Sequence, residues 1–351
     1  MPSTDARIAH RVRAAIVDAP GSEPRVGQVE LAERMPGTTL IEVIAAPLNP
    51  LDLLIASGNF HSARHEGAYV PGAECVGTVI ESDAFEAGAL VYAEPHASPT
   101  TPGAFAARVL VADGDILSLP DGVDPVRAAA IGNSGVAAFM PLVEVARLAE
   151  GDTVLVLGAT GAVGQIAIQI ARLRGASRVI GVARDGEVLQ RVLTLGADAV
   201  IELRAGEDAE SLGNRMREVS TSVDVIVDGL YGVPFEAALG MCAQHARIVN
   251  VGHSAGSAAT IPAGTLRGKQ LSVTGFAGLH TPLREKQHAL TWLWGKLAGG
   301  EIEVAVSPVS LDELPGAWRA QANSPHSKYV VVPPALNPPA ANTAPLNSKE
   351  S

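Results

Sequence analysis

The segment Val154-Leu-Val-Leu-Gly158-Ala-Thr-Gly161-Ala-Val-Gly164-Gln-Ile-Ala-Ile joins an apolar run to three glycines spaced by three, then to apolar residues at helical spacing. The run Thr153 to Leu157 reads as a strand buried on both faces, and Ile166 to Leu173 as a helix. Strand, tight turn and helix in that order bring turn N–H groups and the positive end of the helix close to a pyrophosphate, with the glycines keeping side chains away. Gly158, Gly161 and Gly164 are therefore candidate dinucleotide contacts. Glycines also serve ordinary turns and close helix–strand packing. Here a second apolar strand, Arg178-Val-Ile-Gly-Val-Ala183, follows one helix later and completes a βαβ unit. No Lys-Ser/Thr pair follows the last glycine, so a P-loop is excluded.

The end of the second strand bears on which dinucleotide binds. An acidic residue there accepts hydrogen bonds from the adenosine ribose and repels a 2′-phosphate. This chain has Ala183 at that end and Arg184 beside it, an uncharged gap next to a guanidinium, which favours NADPH. Asp185 is the alternative: a register slip of two would make it the ribose acceptor and reverse the preference. Arg184 as a plain surface cation is the other reading.

These residues need a scaffold, and the patterning supplies one in two textures. From Val12 to Val111 the chain alternates as short antiparallel strands: Arg13 to Asp18, Val26 to Leu31, Thr38 to Ala46, Val70 to Ile80, Ala89 to Ala93 and Gly103 to Val111. A short helix to Ser57 follows the break at Pro47-Leu-Asn49-Pro50. Beyond Pro125 come helices over Val126–Ala130 and Val136–Leu148, then apolar strands at Ala199–Glu202, Val223–Asp228, Ala246–Val251 and Gln270–Thr274 separated by helical stretches. This is an α/β chain with a doubly wound parallel sheet. Ligands of such sheets lie beyond the carboxyl ends of the strands, which puts Gly229, Gly252-His253 and Gly275-Phe276 on the rim of the glycine turn. The pattern turns β-like again from Glu301, and Lys328 to Val332 reads as a last strand returning to the first domain. Residues 1–10 read as a frayed start and the Pro/Ala/Asn/Ser-rich tail after Pro333 as disordered.

The chain of 351 residues has room for two cores, with 47% hydrophobic and 18% charged residues. A formal charge of −11 argues against nucleic acid or an anionic membrane as the main partner. No apolar run is read as spanning a bilayer and the N-terminus carries no secretory signal, so the expected location is cytoplasmic. Cys75 and Cys242 are the only cysteines and read as buried packing residues. The histidines form no HExxH or Cys/His cluster; His61 and His65 share a loop, which gives their spacing no helical face to converge on. No metal site is expected.

Taken in order, Asn49-Pro50-x-Asp52, Pro71-Gly72-x-Glu74-x-x-Gly77, Gly103-x-Phe-Ala-x-x-Val109, Leu119-Pro-Asp-Gly122, Gly158-x-x-Gly161-x-x-Gly164 and Leu195-Gly196-Ala197-Asp198 carry a family resemblance. From about Arg13 to Val332 the chain resembles the medium-chain dehydrogenase/reductase superfamily, and within it the zinc-independent quinone oxidoreductase branch. The resemblance implies a GroES-like catalytic domain (1–135 plus 303–332) around a Rossmann domain (136–302), a tail over 333–351, and a homodimer joined through the strand near Gln270 to Phe276. An unpaired apolar edge there would otherwise be exposed. Zinc alcohol dehydrogenases of the superfamily carry a cysteine where this chain has Asn49 and a histidine where it has Ala73, and their four-cysteine structural lobe has no counterpart here. Without a Lewis acid, alcohol oxidation loses its main electrostatic support, whereas hydride transfer to an electron-poor acceptor does not need one.

What the resemblance implies is NADPH-dependent reduction of a quinone or an α,β-unsaturated carbonyl, with hydrogen-bond donors for the developing enolate oxygen. Asn49 is the matched donor, or else shapes the turn before Pro50; Asp52 caps the short helix or ties loops together. Thr160, Gly161, Ala162 and Val163 would line the pyrophosphate, with Val251, Gly252, His253, Phe276 and Ala277 bordering the riboses. His253 reads equally as a surface residue. Asn133 would contact cofactor, and Ala137 stands where many relatives carry a threonine. The enoyl-thioester reductases of the superfamily use a tyrosine where this chain has Phe60, so that proton donor is missing; water, His61 and Tyr69 are the substitutes. The substrate pocket would be formed by Phe60, the 61–69 loop and the surroundings of Leu279. Two alternatives stay open: a carrier-bound enoyl-thioester reductase, and an NADPH-binding sensor or structural protein without turnover. A side role in RNA binding rests on resemblance alone.

Overall fold

The structure, a computed structural model, describes residues 10–60, 67–98 and 100–333. Residues 1–9 of the start expected to fray, His61 and His65, and the tail beyond residue 333 lie outside the described residues, whereas His10, expected in the frayed start, opens the first strand by pairing with Leu31. The chain begins with β1 (His10–Ile16), β2 (Arg25–Leu31), β3 (Thr38–Pro47), α1 (Pro50–Ala56), β4 (Cys75–Glu81), β5 (Leu90–Ala93), β6 (Arg108–Ala112) and β7 (Ile116–Ser118). Next come α2 (Pro125–Phe139), β8 (Thr153–Leu157), α3 (Ala162–Leu173), β9 (Arg178–Ala183), α4 (Gly186–Thr194), β10 (Ala199–Glu202), α5 (Ala209–Val219), β11 (Val223–Asp228) and α6 (Gly232–Ala238). The order closes with β12 (Cys242–Asn250), α7 (Ala263–Gly268), β13 (Ser272–Gly275), α8 (Leu283–Ala298), β14 (Val306–Val309), α9 (Leu314–Gln321) and β15 (Lys328–Val331).

The second half forms a six-stranded sheet in the order β10-β9-β8-β11-β12-β13, every neighbouring pair parallel. The strand order reverses direction between β8 and β11, so the carboxyl end of β8, where the glycine turn begins, is the switch point at which such sheets bind dinucleotides. The first half forms the sheet β14-β15-β3-β4-β5-β7, with β6 also on β3. Its last strand comes from the far end of the chain: Val330 and Val331 pair with Pro47 and Ala46, and Leu48 N–H donates to the Tyr329 carbonyl. One core runs through both halves, joining Ala45, Val76 and Tyr92 to Ile131, Ile166 and Trp294, and two further cores fill the GroES-like sheet and the other face of the parallel sheet.

Three elements differ from the sequence reading. The two helices expected around Ser134 are one, opened by the Asp124 carboxylate on the Arg127 N–H and by Pro125. Burial of its alanine-rich length outweighs the weak propensity of Asn133-Ser134-Gly135. It runs on to Val145 through a wider turn in which Ala146 N–H donates to the Pro141 carbonyl. At 21 residues this helix is long and apolar enough to cross a membrane, contrary to the reading that no such run exists, and 72% of its apolar window is buried inside the protein. Residues 70–74 and 103–107 extend but lie beside each other as irregular backbone (Gly103 N–H to Val70 O, 2.9 Å; Phe105 N–H to Pro71 O, 2.9 Å), which shortens β4 and β6. α9 had no helical pattern strong enough to stand out beside its Pro and Gly.

The glycine turn shows which glycines are obligatory. Gly158 has φ +94, and a Cβ on Gly164 would overlap the Gly158 carbonyl oxygen and stand 2.7 Å from the Ala159 Cα. Gly161 has φ −75 and only the Gly158 oxygen within reach, at 3.5 Å. Gly164→Ala is expected to lower unfolding stability by about 3 kcal/mol and Gly161→Ala by under about 1 kcal/mol; urea midpoints of the two variants check this.

Candidate active site

Asn49 follows the end of β3 with extended backbone (φ −108, ψ 151), and Pro50 starts α1. The Asp52 carboxylate reaches back one turn and accepts the Asn49 N–H at 2.8 Å. That bond caps the helix and leaves the Asn49 side chain for other partners. Its amide nitrogen donates to Glu74 Oε1 at 2.9 Å and to the Pro47 carbonyl at 3.3 Å, while its oxygen accepts from the Lys328 ammonium. Lys328 also donates to Ser134 Oγ at 3.0 Å. All of these side chains are buried.

Glu74 is the hub. Its Oε2 accepts the Asn133 backbone N–H at 2.6 Å and lies 2.8 Å from the Tyr92 hydroxyl. Gly132 makes room for it: a Cβ there would run into the carboxylate and meet the Tyr92 ring at 2.8 Å. Burial pushes the Glu74 carboxyl up from its ordinary value, against the opposing pull of Lys328 and Asn49, and pushes Lys328 down. The same desolvation raises Asp52 to about 7. The Tyr92 hydroxyl is also 3.0 Å from Glu94 Oε1, and Glu94 is held by Lys286 at 2.6 and 2.8 Å. The phenol oxygen thus stands between two carboxyl groups, within donating distance of both. Lys286 extends the chain to the Gly278 carbonyl at 3.3 Å, in the turn after β13.

The candidate dinucleotide cradle is built separately, around the glycine turn. α3 starts after Gly161 with no side chain capping its first N–H groups, so these are open to an anion, and buried Thr160 is fixed through its carbonyl by Gln165 Nε2 at 2.7 Å. Beyond β11 the buried Asp228 carboxylate accepts the Leu230 and Tyr231 N–H groups at 2.9 and 2.8 Å and Asn250 Nδ2 at 2.8 Å. Asn250 in turn holds the Gly252 carbonyl at 2.7 Å, so Val251 and Gly252 are set on the same rim. Phe276 N–H donates to the Asn250 carbonyl, and a Cβ on Gly278 would lie 3.2 Å from Asn133 Oδ1, which brings Asn133 against the turn that follows Phe276 and Ala277. His280, in that turn, stacks on Phe60 with ring centroids 6.4 Å apart. The shape and open N–H groups of this cradle fit a dinucleotide.

β9 ends at Ala183, buried, and Arg184 is exposed directly after it, while Ala162 and Val163 form the half-buried first turn of α3. Asp185 caps α4, one carboxylate oxygen accepting the Glu187 and Val188 N–H groups at 3.1 Å. No register slip brings it to the strand end. His253 is exposed, Ala137 is half-buried, and Cys75 and Cys242 are both buried. Tyr69 is buried and its phenol pushed up by desolvation. Among the described residues no group of three or more His, Cys, Asp or Glu is placed to hold a metal ion.

One expectation needs correction. Both amide hydrogens of Asn49 are committed to Glu74 and Pro47, so the side chain is not free in this arrangement to donate to a substrate oxygen. Glu74 and Lys328 stood in patterned segments without a role, and Tyr92, Glu94, Lys286 and Ser134 drew no notice. The available signal was a lysine opening an otherwise apolar strand and a glutamate among glycines, both charges in segments expected to be buried.

Asp52 makes the cluster testable. Its folded value lies above the ordinary 3.8, so the folded state holds the proton more tightly and stability falls as pH rises from about 4 to about 7, then levels. Asp52→Asn keeps an oxygen for the Asn49 N–H and removes the titration. Its stability relative to the wild type is expected to be about 2–3 kcal/mol more favourable at pH 8 than at pH 5, read from denaturant midpoints at the two values.

Comparison with known proteins places the chain. Residues 35–121 match the family described as alcohol dehydrogenase GroES-like domain and residues 162–294 that described as zinc-binding dehydrogenase. Quinone oxidoreductase of Pongo abelii is 33% identical over 67% of this chain and 70% of its own length. A phenolphthiocerol/phthiocerol polyketide synthase of Mycobacterium tuberculosis is 28% identical over 91% of this chain, which spans 15% of that protein. The solved structure of a mycobacterial protein complexed with NADPH superposes with a TM-score of 0.78 at 25% identity, covering 92% of this chain and all of its own. With its GroES-like sheet, its parallel sheet and these relatives, the chain belongs to the quinone oxidoreductase branch of the medium-chain dehydrogenase/reductase superfamily.

Proposed function

We propose that this protein is a cytoplasmic, NADPH-dependent, zinc-independent reductase of quinones or α,β-unsaturated carbonyls. The observation that carries the reading is the Asn49 cluster: where zinc relatives place a cysteine, this chain has an amide already saturated by Glu74 and Lys328, with Ala73 in place of the histidine. Such a site has no thiolate or imidazole to offer a cation at those two positions. The chemistry supplied by a bound nicotinamide is hydride donation to an electron-poor carbon.

The chain's own groups position the reactants. The open N–H groups of α3, with Gly158, Gly161, Gly164 and Thr160, hold the pyrophosphate. Arg184 meets the 2′-phosphate, since Asp185 is withdrawn into the α4 cap. Asn133, Phe276 and Ala277 border the nicotinamide ribose, and Phe60, stacked on His280, offers its ring face to the acceptor. Asn49 acts as a positioning residue: Lys328 and Glu74 fix its amide in one orientation. Likeness to a polyketide synthase favours a second reading, reduction of a carrier-bound enoyl thioester, and a third is cofactor binding without turnover. Phe60 in the tyrosine position speaks against the second.

We also propose a homodimer. Every residue of β13 is exposed and Val273 is 37% exposed at the edge of the parallel sheet, an unpaired ladder that a second copy would cover.

Titration with NADPH and NADH, then oxidation by 1,4-benzoquinone or a small enone, tests the main reading. NADPH is expected to bind at least about tenfold tighter, with turnover unaffected by chelator, and Arg184→Ala is expected to erase that margin while leaving NADH within about twofold. Binding without turnover on either acceptor would favour the alternatives. Light scattering is expected to give twice the 36.1 kDa chain mass, falling to one for Val273→Lys.

A further inference from the structure

Lys286 is a cation with no local reason to be where it is. It stands in the first turn of α8, the end of a helix that repels positive charge, and its side chain is only 3% exposed. A lysine stays buried only where its ammonium is paired. This one has three acceptors for its three hydrogens: Glu94 Oε2 at 2.6 Å, Glu94 Oε1 at 2.8 Å and the Gly278 carbonyl at 3.3 Å. Glu94 follows β5 in the GroES-like half, whereas Gly278 and Lys286 belong to the half with the parallel sheet. The ion pair therefore joins the two halves, from residues 192 positions apart in the chain.

What the ammonium holds is a turn that packing does not. From residue 272 to residue 282 none is buried, so the passage from β13 to α8 places no side chain in a core. The Gly278 carbonyl accepts the Thr281 N–H at 3.1 Å as well as the Lys286 ammonium. On its other side the turn rests on α2, where a Cβ on Gly278 would stand 3.2 Å from Asn133 Oδ1 and 3.6 Å from Val136 Cγ1. Two routes then lead from Gly278 to one carboxylate. Asn133 gives its backbone N–H to Glu74, and Glu94 lies on the same Tyr92 hydroxyl as Glu74 does. Glu74 is the group that holds the Asn49 amide.

We propose that Lys286 is a positioning residue for hydride transfer: through Glu94 it fixes the 276–280 turn, and with it the nicotinamide, relative to the Asn49 side of the site. This rests on the reading above, in which Phe276 and Ala277 border the nicotinamide ribose. Lys286 acts only through the turn. A loosened turn spoils the alignment of hydride donor and acceptor, which governs the rate, while the adenosine end of the cofactor binds as before.

The test compares the full-length wild type with Lys286→Met/Glu94→Gln, a double variant that leaves no unpaired ion buried, and with Glu94→Asp, a milder variant that keeps both charges and shortens the arm by one methylene. The readouts are single-turnover oxidation of saturating NADPH by 1,4-benzoquinone or a small enone, calorimetric binding of 2′,5′-ADP, which has no nicotinamide, and amide hydrogen exchange. The double variant is expected to transfer hydride at least about tenfold more slowly and Glu94→Asp at least about threefold, each binding 2′,5′-ADP within about twofold of the wild type, which also shows that the variants are folded. Exchange over residues 276–281 is expected to quicken in both. A folded variant with the wild-type transfer rate, or with the turn as protected as before, would mean that the pair only anchors the two halves; the positioning role is then wrong and the reductase reading stands. If the wild type oxidises NADPH with neither acceptor, the reductase reading fails and the inference with it.

Discussion

A carboxyl group taken fully out of water must be given partners, and Glu74 is given three from three separate stretches of chain, the Asn49 amide, the Asn133 N–H and the Tyr92 hydroxyl, while the Lys328 ammonium from a fourth holds the oxygen of Asn49. Losing any one leaves a desolvated polar group whose cost is that of burial without compensation. The network therefore fixes the turn after β3, strand β5, helix α2 and strand β15 relative to one another more strictly than apolar packing does, because hydrogen bonds are directional where methyl contacts are not. Burial raises Glu74 and depresses Lys328, so desolvation pushes both toward their neutral forms against their mutual attraction.

Helix α3 carries the second constraint. Its first turn forms the anion cradle, and its buried face carries Gln165 and Gln169 toward the GroES-like half. Gln169 donates to the Glu303 carbonyl at 2.9 Å and accepts the Glu303 N–H at 2.7 Å, a two-bond clamp that mimics a strand pair. The distance between the cradle and Asn49 is thus set through a single rigid element, with α2 packed between it and the GroES-like sheet.

What could be read from the residues was what depends on local pattern. The βαβ unit, the Asn49-Pro50 break and the strands of the parallel sheet all repeat with a period set by the backbone, and glycines mark the turn where a Cβ would collide. The Glu74–Tyr92–Glu94–Lys286 chain was not legible because its members are scattered from β4's approach to α8 and meet only in the folded state. Charge patterning treats each as a solvated residue. The split expected at Ser134 came from the same source: local propensity at Asn133-Ser134-Gly135 argues for a break, whereas burial on all sides of α2 outweighs it. The role expected of Asn49 was the opposite case, a position correctly singled out whose hydrogens turned out to be spent inside the protein.

The last strand has a bearing on how this molecule comes into being. β15 supplies both the neighbour of β3 and the cation that faces Asn49, yet it ends at Val331, more than 280 residues after Pro47, its partner. During synthesis the parallel sheet, contiguous from β8 to β13, is complete while the GroES-like sheet still shows an open edge and a buried acid cluster without its lysine. Contacts of such long sequence separation form late and slowly, because the loop must close before any of them is rewarded. The sheet of the first half therefore lacks its last strands until after the whole parallel sheet has been synthesised.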